Sequence, residues 1–322
     1  MTKAMQKMTL HHTEKTRRFI EEHHDNCTVC GRSFLAGETT HLGYIGRKLV
    51  YVGDCCSAPL KSTIIRHSYQ RRIYLIPNNN SVLWRFMDFT KFVSLLKSKC
   101  LFFSRSDRFQ DPFEGAKGIL KNKPKWDRHY KSFFIEAIRT VPGGEGLKKT
   151  EKELQKEAKR LLKDLDHIGA RQPKETFINC WYESSYESEA MWRLYTSSLD
   201  QGIAVKTNYK RLYDGLCRNP DIHIGRVNYI DFSSNFVGIN DSFWYKRKSF
   251  EHEREVRAIF SDFRSGEDFG KLVPVNLNIL IEKVYLSPTS HPWFKELVED
   301  VMGKYELRKL LQVSDMTTKP FH

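Results

Sequence analysis

Residues 82–104, VLWRFMDFTKFVSLLKSKCLFFS, change their hydrophobic period twice. VLWRFMDF reads as a strand carrying one arginine, Arg85. TKFVSLLKSK brings Phe92, Leu95 and Leu96 onto one helical face, with Thr90 expected at the N-cap. CLFFS is a second strand, closed by the turn-rich SDRFQDPFEG. A strand, a helix and a strand in so short a span set the style of everything downstream. TFINCWYE, GIAVKTN, GRVNYIDF, REVRAIF and the apolar run of IEKVYLSP read as further strands. SEAMWRLYTSS reads as a helix or turn, and HPWFKELVEDVMGKY as a helix before the tail. Short strands with interspersed helices, lacking regular βαβ alternation, predict an α+β fold: a mixed β-sheet core with flanking helices.

Within that core, residues 145–165 place Leu147, Leu154, Ala158, Leu161, Leu162 and Leu165 at helical spacing. They mark a charged helix inside an insertion over about 120–170. No repeat, P-loop or Rossmann fingerprint is present. Upstream, IPNNNS marks a boundary. The expected parts are an N-terminal amphipathic helix over 1–25, a small unit with its linker over 26–80, and a main domain over 81–322. Residues 61–80 are expected to be a helix running into the linker.

The small unit, CTVCGRSFLAGETTHLGYIGRKLVYVGDCC, contains two β-like runs between two cysteine pairs. Zinc needs about four soft ligands in a tetrahedron, and Cys27-x-x-Cys30 supplies two of them from one tight turn. Cys55 supplies a third. The fourth is Cys56 or a histidine, His41 or His67, because adjacent residues face one ion only at a sharp bend. The stretch resembles a zinc-ribbon or treble-clef knuckle, which implies a structural zinc. Of the scattered cysteines, Cys180 in INCWY is the one to check.

The chain has 322 residues, 40% of them hydrophobic, which suffices for a core and excludes wholesale disorder. Lys and Arg total 53 against 39 acidic residues, a formal charge of +14 that favours polyanionic partners. Residues 1–80 carry 12 basic and 6 acidic residues, so the surplus is densest there. No apolar run reaches the ~18–20 residues of a membrane span. The opening MTKAMQKMTLHHTEK has no apolar core of a secretory signal, so a cytoplasmic protein without membrane partners is expected.

Three segments of the main domain bear on chemistry. Glu253 and Glu255 of FEHEREVRAIF are expected on one strand face, with Val256, Ala258 and Phe260 on the other. Paired carboxylates of this kind suit the stabilisation of a developing cation together with base work. The alternative is a solvated strand edge partnered by Lys246, Arg247 and Lys248. Arg85 offers an anion contact, or else pairs with Asp88 or Asp111. Asp111 and Glu114, in the DRFQDPFEG turn, are further pocket candidates. In SFWYKRKSF, Phe243, Trp244 and Tyr245 adjoin three basic residues, a composition that stacks nucleic-acid bases or, equally, fills a core.

The order of Arg85, the Tyr195-Thr196-Ser197 corner and Glu253-x-Glu255 resembles the three motifs of the ADP-ribosyltransferase superfamily. The strand-helix-strand unit is similar to that of its DNA-modifying members, which often have His where this chain has Arg85. LWRF, DRFQDPFEG, CWYE, MWRLY and EREVR also look like those of an uncharacterised bacterial family found in phage-defence loci. The resemblance implies that Arg85 binds the nicotinamide-side phosphate and ribose of NAD, within a cofactor set of Arg85, Tyr195, Thr196, Ser197 and Asp111. Tyr195, Thr196 and Ser197 would support the cleft, though Tyr-Thr-Ser-Ser departs from the family's Ser-Thr-Ser. Glu255 would hold the ribose 2′-OH and stabilise the oxocarbenium-like transition state; Glu253 would position or deprotonate the acceptor. It further implies a toxin-like transferase acting on nucleic acid, RNA before DNA, as in mRNA-modifying toxins of toxin–antitoxin–chaperone systems, with an antitoxin as partner. The alternatives are a non-catalytic nucleic-acid sensor, an NAD hydrolase, or a transferase that modifies proteins.

Overall fold

The computed structural model describes residues 14–35, 37–69, 72–140, 149–264 and 268–321. The chain divides into two units, Met1–Ile73 with Arg218–Ile222, and Tyr74–Cys217 with His223–His322. Residues 1–13 of the expected N-terminal helix lie outside the described residues; its remainder is α1 (Glu14–Glu22).

In the first unit, β1 (Thr39–Ile45), β2 (Lys48–Val52) and β3 (Ser62–Ser68) form an antiparallel sheet in the order β2-β1-β3. Ile45 pairs with Lys48 across a two-residue hairpin loop, where Gly46 takes the positive φ of 63° that such loops require. Residues 62–68 were expected to be helical and are a strand instead. This strand, β3, pairs along the second edge of β1, and the register shifts between Leu42 and Gly43, where Ile64 is the extra residue on β3. Cys27, Phe34, Leu42, Val50, Tyr51, Val52 and Tyr69 make a small core.

The second unit contains β4 (Val82–Asp88), α2 (Phe89–Ser98), β5 (Cys100–Arg105), α3 (Lys123–Arg139), α4 (Glu151–Glu175), β6 (Thr176–Glu183) and α5 (Glu189–Tyr195). There follow β7 (Gly202–Asn208), α6 (Tyr209–Gly215), β8 (His223–Arg226), β9 (Asn228–Ile230), β10 (Tyr245–Arg247) and β11 (Glu255–Ser261). It ends with β12 (Gly270–Pro274), α7 (Leu277–Leu280), β13 (Lys283–Leu286), α8 (Pro292–Lys304) and β14 (Leu310–Val313). A nine-stranded sheet runs β12-β5-β6-β4-β7-β13-β14, with β11 pairing β6 and β8; β13–β14 is its parallel pair. The mixed sheet with helices agrees with the α+β expectation. GRVNYIDF is broken at Val227: β8 joins the large sheet, whereas β9 pairs separately with β10.

Asp88, not Thr90, occupies the N-cap position of α2, and Lys99 in the left-handed region ends the helix. Phe92, Leu95 and Leu96 are buried as their spacing requires, each such side chain stabilising by roughly 1.5–3 kcal/mol. α4 starts at a capping box of Thr150 and Glu153 and runs ten residues beyond the expected end at 165, to Glu175. Its buried Leu154, Ala158 and Leu165 face inward; Leu147 lies outside the described residues. No helix among the described residues is long and apolar enough to cross a membrane.

Candidate active site and metal cluster

β6 is paired with β11 along one edge from Thr176 to Tyr182. Its other edge is shared: β5 meets Phe177 and Ile178, and β4 meets Tyr182 and Glu183. Over residues 179–181 β4 and β5 diverge, and side chains replace the missing ladder. Asn179 Nδ2 donates to the Phe102 carbonyl at 2.8 Å, and Arg85 Nη1 donates to the Cys180 carbonyl at 3.2 Å. The fork holds a cavity of about 490 Å³, within the range of small-molecule sites. Arg85, Cys180, Tyr195, Glu253 and Glu255 all line it, arriving from four separate elements and one turn.

Glu253 does not share a strand face with Glu255. It ends a 3₁₀ turn, and Arg254 in the left-handed region (φ 38°) separates it from β11. The kink turns both carboxylates toward Lys246 Nζ, which bonds Glu253 and lies 3.3 Å from Glu255 Oε2. Glu255 also accepts from Arg257 Nε at 2.6 Å, two residues along the same strand face. Arg257 is fully buried and donates to both oxygens of Glu114, at 2.5 and 2.8 Å, and to the Phe243 carbonyl. The surface-edge reading named Lys246 as a partner, and it is one, but it is buried instead of solvated; Arg257 is the neighbour that sequence reasoning missed. The Arg257 alternation was legible in EREVR; the burial of Lys246 and the approach of Glu114 were not.

Burial opposes the charge on Glu255, but the Arg257 guanidinium and the Lys246 ammonium outweigh it and hold the carboxyl down at about 2. Burial pushes Glu114 up, and Arg257 opposes that push. Burial and the nearby Glu253 and Glu255 carboxylates keep the Tyr195 phenol protonated. Burial and Glu255 raise the Cys180 thiol well above its usual range, so it is no thiolate nucleophile. Glu253, Glu255 and Glu114 are held by Lys246 and Arg257 behind the wall; of these five only Glu253 and Glu255 line the cavity, together with Arg85 and Lys91.

Other expected site residues lie elsewhere. Thr196 Oγ1 bonds the Trp192 carbonyl, and Ser197 bonds Asp88 through both its amide and its hydroxyl; neither lines the cavity. Asp88 and Asp111 are not partners of Arg85: Asp88 takes Ser197 and Lys91, and Asp111 takes Arg247 at 2.7 Å. Asp111 also accepts from the Phe113 amide, so it ties the 111–115 turn to β10 and stays outside the cavity lining. Phe243 and Trp244 are buried, Trp244 stacked on Tyr74, which leaves no exposed base-stacking run there.

In the first unit, the Sγ atoms of Cys27, Cys30, Cys55 and Cys56 all lie within 4.8 Å of one another. Gly31 at φ 75° closes the first turn, and the 3₁₀ turn Asp54–Cys56 supplies the sharp bend that adjacent cysteines need. His41 instead faces Asp54 at 3.6 Å, and the His67 side chain lies outside the described residues. A tetrahedron with Zn–S of ~2.3 Å has sulfurs about 3.8 Å apart. Cys30 and Cys55 are 3.6 Å apart, which fits. The Arg32 amide and the neighbouring Cys27 and Cys55 thiols bring Cys30 down to about 7, within reach of the thiolate that a metal requires.

Two solved structures of DarT are similar to the chain. They are Thermus sp. 2.9 DarT in complex with NAD+ and in complex with ADP-ribosylated ssDNA, each at 8% identity and a TM-score of 0.35. Each alignment covers 76% of this chain and 100% of that chain. No protein-family model and no curated protein matches the chain.

Proposed function

We propose that this chain transfers ADP-ribose from NAD to a nucleic acid. The observation that carries the reading is the convergence of Arg85, Tyr195, Glu253 and Glu255 on one 490 Å³ cavity. In this reading Arg85 binds the diphosphate side of NAD. The C1′–N bond to nicotinamide breaks, the bonding pair leaves with neutral nicotinamide, and positive charge develops on the ribose. The Glu255 carboxylate in the cavity wall, held in place by Arg257 and Lys246, stabilises that charge, because a fixed group in a buried site needs no reorganisation. An acceptor nucleophile then bonds to C1′ and gives its proton to Glu253, whose Oε2 bonds Lys246 beside the cavity. Tyr195 stays protonated and serves as a hydrogen-bond donor.

The chain's +14 charge supports a polyanionic acceptor. RNA is the acceptor we place first and DNA second; a toxin-like role in phage defence, checked by an antitoxin, belongs to the same reading. We assign the four cysteines to a structural zinc, supported by their mutual distances. Incubating the protein with NAD labelled in the adenylate half, beside separate pools of RNA, single-stranded DNA and protein, tests the acceptor. Label in a nucleic-acid pool is expected; label in protein alone would replace the acceptor, and untouched NAD in every pool would remove the reaction.

A further inference from the structure

A second cavity of about 480 Å³ lies beside the first turn of α3, walled in part by Lys117, Lys123, Trp126, Asp166 and Gly169. It rivals the cleft in size and has no part in the proposed chemistry. Lys117 Nζ lies over the Trp126 ring, 5.4 Å from its centroid. It sits so close on α4 that a Cβ at Gly169 would collide with it. Lys123 beside it is engaged by Asp127 and Asp166. Glu114, a second carboxylate in the wall, is taken by Arg257. Among the described residues Lys117 itself makes no salt bridge, although it is half-buried; burial lowers its pKa, and the Asp166 carboxylate, which Lys123 engages, opposes that only in part.

Burying a cation whose nearest carboxylate is shared with another lysine is costly, and the cavity leaves room for a closer anion. The surroundings point the same way. Asn122 precedes α3 but spends its amide on the carbonyls of Phe232 and Ser233, so it does not cap the helix. The first turn of α3 holds no acidic residue. Leu120 and Phe236 add apolar wall.

We propose that this second cavity binds a small phosphate-bearing ligand, with Lys117 as its ion partner. Calorimetric titration of the full-length protein with inorganic phosphate tests it without reference to NAD. Saturable binding is expected. Lys117→Gln should weaken it by at least about tenfold, as expected for loss of a charge-assisted contact, while Lys117→Arg retains most of it. Gly169→Ala, which displaces the ammonium and leaves its charge, should weaken it too. Lys163→Gln, at an exposed position on α4, should leave it unchanged, and the melting curves of all four variants establish that they are folded. Absence of saturable binding overturns the proposal, as does an equal loss in Lys117→Gln and Lys163→Gln, which would mean diffuse attraction to a basic surface.

Discussion

Replacing Arg257 with Met removes the cation that holds both oxygens of Glu114 and both of Glu255. Met keeps much of the volume and supplies no donor. Glu255 retains Lys246 at 3.3 Å, so Glu114 is the carboxylate left buried without its ion-pair partner. Breaking a buried ion pair from one side costs ~3–5 kcal/mol. At ~2–4 °C per kcal/mol for a unit of this size, the melting temperature should fall by roughly 6–20 °C at pH 7. The pH dependence follows from the same groups. In the native protein Glu255 sits at about 2, below its ordinary 4.5, so its stabilisation is complete above 4.5 and is lost as the pH falls toward 2. In the variant, only the more distant Lys246 opposes the burial that pushes Glu114 up, so the penalty is present at neutral pH and disappears once both states are protonated. The gap between the two proteins should therefore narrow steadily from neutral pH to about pH 4. Thermal unfolding followed by circular dichroism across that range measures it. The double variant Glu114→Gln/Arg257→Met should recover part of the loss, since removing both partners leaves no orphaned charge. A fall of less than about 2 °C at pH 7, or a gap that does not change with pH, would refute the reasoning.

The purified protein should carry about one zinc per chain, and Cys30→Ser should lose it along with the first unit's resistance to unfolding; less than about half an equivalent in the native protein contradicts this. Glu253→Gln should retain more NAD hydrolysis than transfer, measured as nicotinamide released against label in nucleic acid; equal losses in both would remove its role toward the acceptor. Gly115→Ala should destabilise by more than ~1 kcal/mol in chemical denaturation, because the position has φ 72° and the new methyl meets the Phe243 ring.

The parts of this protein that were legible in its sequence are those set by neighbours along the chain. TFINCWYE and GIAVKTN became β6 and β7 without a shift of boundary, because continuous apolar runs between turn signals leave little choice. The Cys27 and Cys30 knuckle was equally local. What escaped was set by tertiary contact or by unusual backbone. β3 is a strand because the edge of β1 is there to receive it. Arg254 takes a left-handed conformation with no glycine to announce it, and this moves Glu253 off the strand while keeping it beside Glu255. Glu114 reaches Arg257 across 143 positions, a separation no periodicity can report. Thr196 and Ser197 looked like cleft residues by their order in the chain; Asp88 and the Trp192 carbonyl hold them elsewhere.

Release of nicotinamide from NAD, compared between the native protein and Glu255→Gln in the presence of single-stranded nucleic acid, tests the central claim most directly. The variant keeps the shape of the side chain beside Arg257 and Lys246 and removes its charge, and its melting curve shows whether it is folded. Time-dependent nicotinamide release by the native protein is expected, with a loss of at least ~10²-fold in the folded variant. Equal release by both proteins, or none from the native protein with any acceptor, would contradict the account.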